Sequence, residues 1–453
     1  MCGVFGVRAP SRDVARLAYF ALYALQHRGQ ESAGIAVSEG GRLTALRDLG
    51  LVPQVFDEGA LAGLRGEYAI GHTRYSTTGG NAWENAQPLV HHGRVRTVAL
   101  GHNGNLVNAE ELREVVGKPL ASSSDSEVIA ALIADDEQPL ADAIASAMAR
   151  LDGAATVVGL VDGVLFGFRD AHGFRPLVLG RIGDDPVLAS ETCALDLIGA
   201  EFVREVAPGE LVLIDDAGVR TKSVLTPEPA LCIFEYFYLA RPDSRLDGVE
   251  VHGARVRMGE RLAAESPVEA DLVLPIPDSG TPAAIGFARA TGIPFSEGLI
   301  KNRYVGRTFI QPDQAMREQG IRMKFNPLAE VRGKRLVVVD DSIVRGSTTR
   351  QIVQMLFDAG AAEVHVRVSS PPIVSPCYYG IDFATEDEMI AAHSTVEEVR
   401  AAIGATSLAY LSLDGLQEAT DRPASKLCRA CLTREYPTAR PADARKLRFE
   451  TVP

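Results

Sequence analysis

An all-apolar run, Val337-Val338-Val339, ends in two adjacent carboxylates, Asp340 and Asp341, and passes at once into Ser342-Ile343-Val344-Arg345-Gly346-Ser347-Thr348-Thr349. A buried parallel strand delivers its last residues to the carboxyl edge of its sheet, where open α/β sheets bind ligands. There Asp340 and Asp341 can take up ribose hydroxyls and help to hold Mg²⁺. The N–H groups from Val344 to Thr348, with the start of a helix expected over 350–357, can wrap a phosphate. Neighbouring carboxylates are costly to place without cations. The chemistry indicated is the binding of a phosphorylated sugar, in preference to a plain strand and capped turn.

A second reactive group stands at the other end of the chain. Cys2 directly follows Met1, and its small side chain should let Met1 be removed, leaving a thiol and an α-amine on one residue. An α-amine titrates at about pH 8, so it can serve as general base for its own thiol. Two further segments offer groups for a pyrophosphate. A turn over 275–281, after the apolar strand expected over 272–276, presents Ser279, Gly280 and Thr281. Lys301, Arg303 and Arg307 supply cations from a basic stretch that also holds Tyr304.

Of the six cysteines, Cys193 reads as a buried thiol. Cys232, Cys377, Cys428 and Cys431 remain, the last two forming a Cys-x-x-Cys. Two close and two distant thiols suit a four-thiolate site for zinc or for a [4Fe–4S] cluster, and stereochemistry does not choose between them.

The 337–349 stretch closely resembles the phosphoribosyl pyrophosphate loop of type I phosphoribosyltransferases. That family usually has Gly-Thr-Thr-Ser where this chain has Gly346-Ser347-Thr348-Thr349, an exchange that keeps the hydroxyls and N–H groups. Behind Cys2, Gln26-His27-Arg28-Gly29-Gln30-Glu31-Ser32, Gly71-His72-Thr73-Arg74-Tyr75-Ser76-Thr77 and Gly101-His102-Asn103-Gly104-Asn105 follow in the order and wording of the class II glutamine amidotransferases. This resemblance implies that Cys2 attacks the glutamine amide and that the Asn103 side chain and Gly104 N–H hold the oxyanion. Donors of that kind are commonly worth about a hundredfold or more. It further implies that Arg74 takes the glutamine α-carboxylate and that Asp125, in Ser124-Asp125-Ser126-Glu127, takes its α-amine.

Both halves together resemble the glutamine phosphoribosylpyrophosphate amidotransferases over nearly the whole chain. Further matches are Ser190-Glu191-Thr192-Cys193-Ala194-Leu195-Asp196, Phe234-Glu235-Tyr236, Ala240-Arg241-Pro242-Asp243-Ser244, Pro277-Asp278-Ser279-Gly280-Thr281 and the 301–310 segment. The resemblance implies transfer of ammonia from glutamine to phosphoribosyl pyrophosphate, giving 5-phosphoribosylamine, glutamate and pyrophosphate at the opening of purine biosynthesis. It implies that 301–310 is a lid over the substrate, and that purine nucleotides are feedback inhibitors of a homotetramer. Mg²⁺ is expected between the pyrophosphate, Ser279, Asp340 and Asp341. The iron–sulfur branch of the family carries cysteines in these same contexts, which implies a structural [4Fe–4S] cluster on Cys232, Cys377, Cys428 and Cys431 ahead of zinc or an empty site. Its members usually carry a short propeptide before the nucleophilic cysteine, whereas Met1 alone precedes Cys2 here.

The elements that must position these groups follow from patterning. Residues 2–226 are expected to form an N-terminal-nucleophile hydrolase αββα sandwich, with strands over 156–161 and 164–169 and helices over 127–134 and 140–150. Pro227-Glu228-Pro229 marks a crossing point. Over 227–436, apolar strands at 272–276, 335–340 and 363–368 alternate with helices such as 282–290, which indicates a type I phosphoribosyltransferase doubly wound parallel sheet. The tail, 437–453, is basic and weakly patterned. With 453 residues the chain can build two or three substantial cores, and a formal net charge of −13 argues against nonspecific nucleic-acid binding. The apolar run over 17–25 leads into Gln26-His27-Arg28 where a signal peptide needs small residues, so it reads as a buried amphipathic helix of a cytoplasmic, non-membrane protein. An amidotransferase making glucosamine 6-phosphate would need sugar-isomerase domains in its second half. A phosphoribosyl pyrophosphate-sensing regulator would have no use for Cys2, Asn103 and Arg74 together.

Overall fold

The computed structural model describes residues 1–76, 78–302, 323–383 and 385–440. Arg303, Tyr304 and Arg307 lie outside the described residues, as does most of the tail.

Alternation along single strands builds the first domain, because successive side chains of a strand point to opposite faces. In the strand Gly3–Arg8, Val4 joins the layer between two sheets while Phe5 and Val7 join an outer layer against the helix Val14–Ala24. In the strand Gly153–Val161, Val158 faces that same inner layer and Val157 faces the helices Ser126–Ala134 and Leu140–Met148. The two antiparallel sheets have seven and six strands among the described residues. Helix, sheet, sheet and helix layers thus follow one another, the αββα sandwich expected from the sequence. Gly3–Arg8 lies mid-sheet beside Tyr68–Arg74, with Gly3 opposite Thr73. The second sheet places Thr97–Leu106, which carries Asn103, beside Gly153–Val161.

In the second domain, the strands Leu272–Pro275, Arg335–Asp340, Glu363–Val368 and Ser407–Tyr410 form a parallel sheet in that order. Val337 and Val339 face a core containing the helices Val251–Glu265 and Thr281–Thr291. Leu336 and Val338 face another containing Ser347–Asp358 and Val396–Ile403. Both faces are covered, as near-continuous apolar strands require. After Leu272–Pro275 the chain makes a parallel bridge at Phe295 on one side of Val273, then returns to Arg335–Asp340 on the other. The order of strands therefore reverses between Leu272–Pro275 and Arg335–Asp340, and ligands bind at such a switch point.

Several expected boundaries shift, by up to three residues. The strand expected over 156–161 begins at Gly153. The helix expected over 350–357 begins at Ser347, so Ser347 and Thr348 stand in its first turn and not in a loop. Gly346 adopts φ +73° at the cap, a conformation open to glycine.

The domains meet through buried charge. The side chains of Arg28, Glu191, Glu235 and Arg175 are all fully buried. Arg28 pairs with Glu191 and, at 2.6 Å, with Glu235; Arg175 lies 3.5 Å from Glu235. Burial alone would raise the Glu191 carboxyl, but Arg28 and His27 outweigh it and hold it well below the usual carboxylate range. The crossing segment is pinned to the first domain by Glu228 N–H donating to Ala171 O (2.8 Å) and Ala230 N–H to His172 O (2.7 Å).

Candidate active site

Cys2 sits where the two sheets of the first domain meet. Its backbone N–H donates to Asn103 Oδ1 at 3.2 Å, and its Sγ lies 3.6 Å from Tyr75 O. The Met1 α-amine donates to the same carbonyl at 3.3 Å and is pushed down to about 5, mainly by burial. Removal of Met1 would turn the Cys2 nitrogen itself into the free amine, with Asn103 Oδ1 already in place to accept from it.

Asn103 is fully buried, and its Nδ2 has no hydrogen-bond partner among the described residues. An orphaned buried donor is costly, so its retention beside a thiol suits a place where an acceptor arrives. Gly104 follows in the same strand. A Cβ there would stand 2.0 Å from Ala154 O, so no larger residue could keep its N–H in place.

Arg74 ends the strand beside Cys2's, and its guanidinium donates to Gly80 O (3.0 Å) and Thr78 O (3.2 Å) with Glu31 at 3.7 Å. Asp125 accepts from Leu106 N–H at 2.9 Å, which fixes its carboxylate at the end of the Asn103 strand. Behind it, His102 lies 3.7 Å away; burial would lower the imidazole, but Asp125 outweighs this and raises it. The four groups therefore line the meeting edge of two sheets. Sequence reasoning missed Tyr75 O and the carbonyls holding Arg74, because backbone oxygens carry no sequence signal.

At the switch point of the second domain, Asp340 and Asp341 are buried side by side. Burial, then the neighbouring Asp341 charge, raises the Asp340 carboxyl well above the ordinary value. Asp341 is raised by burial against the pull of Ser279, Ser342 and Arg255. Ser279 hydrogen-bonds Asp341, bringing together the three residues expected to hold Mg²⁺. Arg255 was missed in the sequence because it comes from a helix some eighty residues upstream. The turn carrying Ser279, Gly280 and Thr281 is held against the Asp340 strand by Ile276 N–H donating to Val339 O at 2.8 Å. A Cβ on Gly280 would meet that same oxygen at 2.4 Å, so the close approach requires glycine. Lys301 reaches the turn, its Nζ 2.5 Å from Asp278. Val344 is held by Ile390 N–H donating to its carbonyl (2.9 Å), while Arg345, Ser347 and Thr348 are exposed around Gly346. The first N–H groups of the Ser347–Asp358 helix thus open beside the carboxylates.

The four remaining cysteines converge from three segments. Cys232 and Cys428 are register partners in the short parallel pair Leu231–Cys232 and Leu427–Cys428. Cys431 O accepts from Val374 N–H (2.9 Å) and Ser375 N–H (3.1 Å), just before Cys377. Behind burial, ionisation of Cys232, Cys377 or Cys428 would push the Cys431 thiol up further. All are free thiols, and burial pushes Cys232 up to about 11 and Cys428 and Cys431 higher. Among the described residues, no group of three or more His, Cys, Asp or Glu side chains is arranged as a metal site. No described helix is long and apolar enough to cross a membrane.

Comparison with known proteins bears on both sites. Residues 72–197 match the glutamine amidotransferase domain family and residues 251–370 the phosphoribosyl transferase domain family. The amidophosphoribosyltransferase of Synechococcus elongatus is 54% identical, the alignment covering 100% of this chain and 94% of that protein. That of Mycobacterium tuberculosis is 52% identical, covering 98% and 87%. The solved structure of Bacillus subtilis glutamine phosphoribosylpyrophosphate amidotransferase complexed with ADP and GMP superimposes with a TM-score of 0.92 at 47% identity, covering 98% of this chain and 99% of that one. The chain therefore belongs to the amidophosphoribosyltransferase family, and the reaction it catalyses is the transfer of the glutamine amide nitrogen to phosphoribosyl pyrophosphate, the first step of purine biosynthesis.

Proposed function

We propose that Cys2 hydrolyses glutamine and that the ammonia reacts at the Asp340–Asp341 end of the second domain. The observation that carries this reading is the unpartnered Asn103 Nδ2 beside Cys2. The Cys2 α-amine takes the thiol proton, and Sγ attacks the amide carbon. Asn103 Nδ2 and the Gly104 N–H receive the oxyanion. The amine returns the proton to the departing ammonia, and water releases glutamate from the thioester. Arg74 binds the glutamine α-carboxylate in bidentate fashion and Asp125 binds the α-amine.

Ammonia passes inside the protein to C1 of phosphoribosyl pyrophosphate, forms the C–N bond, and pyrophosphate leaves. Asp340 and Asp341 hold the ribose hydroxyls. The 344–348 loop and first helical turn hold the 5-phosphate, and Ser279, Gly280 and Thr281 hold the pyrophosphate with Lys301. Arg303, Tyr304 and Arg307 would complete the lid, excluding water as it closes. The oxygens of Ser279, Asp340 and Asp341 fit Mg²⁺, which when bound supplies charge neutralisation for the pyrophosphate. The raised carboxyls support this assignment, since a cation removes their mutual repulsion. With glutamine and Mg²⁺ present, glutamate and pyrophosphate should be released one for one, and glutamate release should rise sharply when phosphoribosyl pyrophosphate is added. Glutamate without pyrophosphate would overturn the role given to the second domain.

Three buried thiols, Cys232, Cys428 and Cys431, with the half-buried Cys377, drawn from three segments of chain, support a structural [4Fe–4S] cluster that does no redox work in the reaction. Anaerobically purified protein should contain about four iron and four sulfide per chain. About one zinc instead would overturn the assignment in favour of a tetrahedral site. The Bacillus subtilis protein was solved with ADP and GMP, which supports purine nucleotides as feedback inhibitors here. A cytoplasmic homotetramer completes the reading.

A further inference from the structure

A short segment of the second domain, Tyr378-Tyr379-Gly380, directly after Cys377, touches the strand that carries Asn103 and Gly104. Asn105 Nδ2 donates to Tyr378 O at 2.9 Å. Gly380, at φ +107°, is buried so closely that a Cβ would stand 3.2 Å from both the carbonyl carbon and the oxygen of Gly104. The segment is itself held down. Arg175 Nε and Nη2 donate to Tyr379 O at 3.1 and 2.6 Å, and the Tyr379 ring stacks on Phe174 at 4.1 Å.

The other end of Asn105 faces the glutamine-binding loop. Thr78 Oγ1 donates to Asn105 Oδ1 at 2.5 Å, and Thr78 O accepts from Arg74 Nη2 at 3.2 Å. One amide thus joins the loop that cradles Arg74 to a backbone carbonyl of the other domain, and the residue before it, Gly104, abuts Gly380.

We infer that Asn105 and Gly380 are positioning residues for glutamine hydrolysis, Gly380 setting the place of the Gly104 N–H and Asn105 setting the place of the Arg74 loop. The inference rests on Cys2, Asn103 and Gly104 forming the hydrolytic site. It locates part of that site's precision in a segment outside the glutamine amidotransferase domain. Reacting groups displaced by a fraction of an ångström lose rate steeply. A methyl group at 380 is strained at φ +107° and must also push Gly104, the residue that carries the oxyanion N–H, by a few tenths of an ångström.

The test is steady-state kinetics on the full chain, with glutamine or with ammonium chloride as nitrogen source. Gly380→Ala is expected to lower kcat for glutamine hydrolysis about tenfold with KM for glutamine within about twofold, because the oxyanion forms only in the transition state. Thr78→Val should do the reverse, raising KM about tenfold with little change in kcat, since it frees only the loop that binds the ground state. Asn105→Ala should do both. Synthesis from ammonia should stay within about twofold in all three. If Gly380→Ala and Asn105→Ala leave both kinetic constants unchanged, the inference is wrong. A parallel fall in ammonia-dependent synthesis overturns it equally, because the segment would then serve general folding. Cys2→Ala, run alongside, separates the two readings: persistent hydrolysis in that variant defeats the assignment of the site itself.

Discussion

Cys2→Ala should abolish synthesis of 5-phosphoribosylamine from glutamine, by about 10⁴-fold or more, and leave synthesis from ammonia close to that of the unaltered chain. The substitution removes the thiol that stands beside Asn103, whose Nδ2 has no hydrogen-bond partner among the described residues. The Asp340–Asp341 switch point lies in the other domain, so its chemistry does not need the thiol. The measurement is product formed from each nitrogen source at saturating phosphoribosyl pyrophosphate. Retention of the glutamine reaction together with loss of the ammonia reaction would invert the division of labour between the domains.

The double substitution Asp340→Asn with Asp341→Asn should remove synthesis from both nitrogen sources by at least about a hundredfold, since several kcal/mol of charge stabilisation go with the carboxylates. Basal hydrolysis of glutamine in the absence of the sugar should persist. A stability measurement guards against misfolding. Both carboxyls are raised in the folded chain, so each ionised group costs stability at neutral pH, a cost relieved as the pH falls through the folded value. The amide variant should therefore unfold at or above the temperature of the unaltered, ligand-free protein. Undiminished synthesis in a well-folded double variant would remove these residues from the site.

Much of this was legible in the sequence where one segment carries its own chemistry. The 337–349 stretch shows a strand, a carboxylate pair and a Gly/Ser/Thr turn in continuous order, and the structure places them at the sheet edge that this order demands. The start of the following helix was misjudged because Ser and Thr are poor in helix interiors yet favoured near the N-terminus, where their hydroxyls meet unpaired N–H groups. Cys2, Asn103 and Asp125 were legible as types, and their convergence came only with the fold. Asn105 was not legible as a link, since its partner is a backbone carbonyl 273 residues away. Gly380 needed coordinates as well: a glycine required by a neighbouring backbone reads in sequence like any turn. The cysteines show a middle case, in which the pair at 428 and 431 announces itself while the register that sets Cys232 beside Cys428 does not.

The buried Arg28–Glu191–Glu235–Arg175 network has a consequence for anyone wishing to exchange the acceptor half of this enzyme. Arg28 and Arg175 belong to the amidotransferase half, whereas Glu235 belongs to the other. A graft that lacks a carboxylate at that point would take from Arg175 and Arg28 the buried acid they share, leaving Arg28 to Glu191 alone, at a cost of up to about 3–5 kcal/mol for a broken buried pair, before any passage for ammonia had been addressed. Portability of the glutamine-hydrolysing half thus depends in part on an acid that it does not encode.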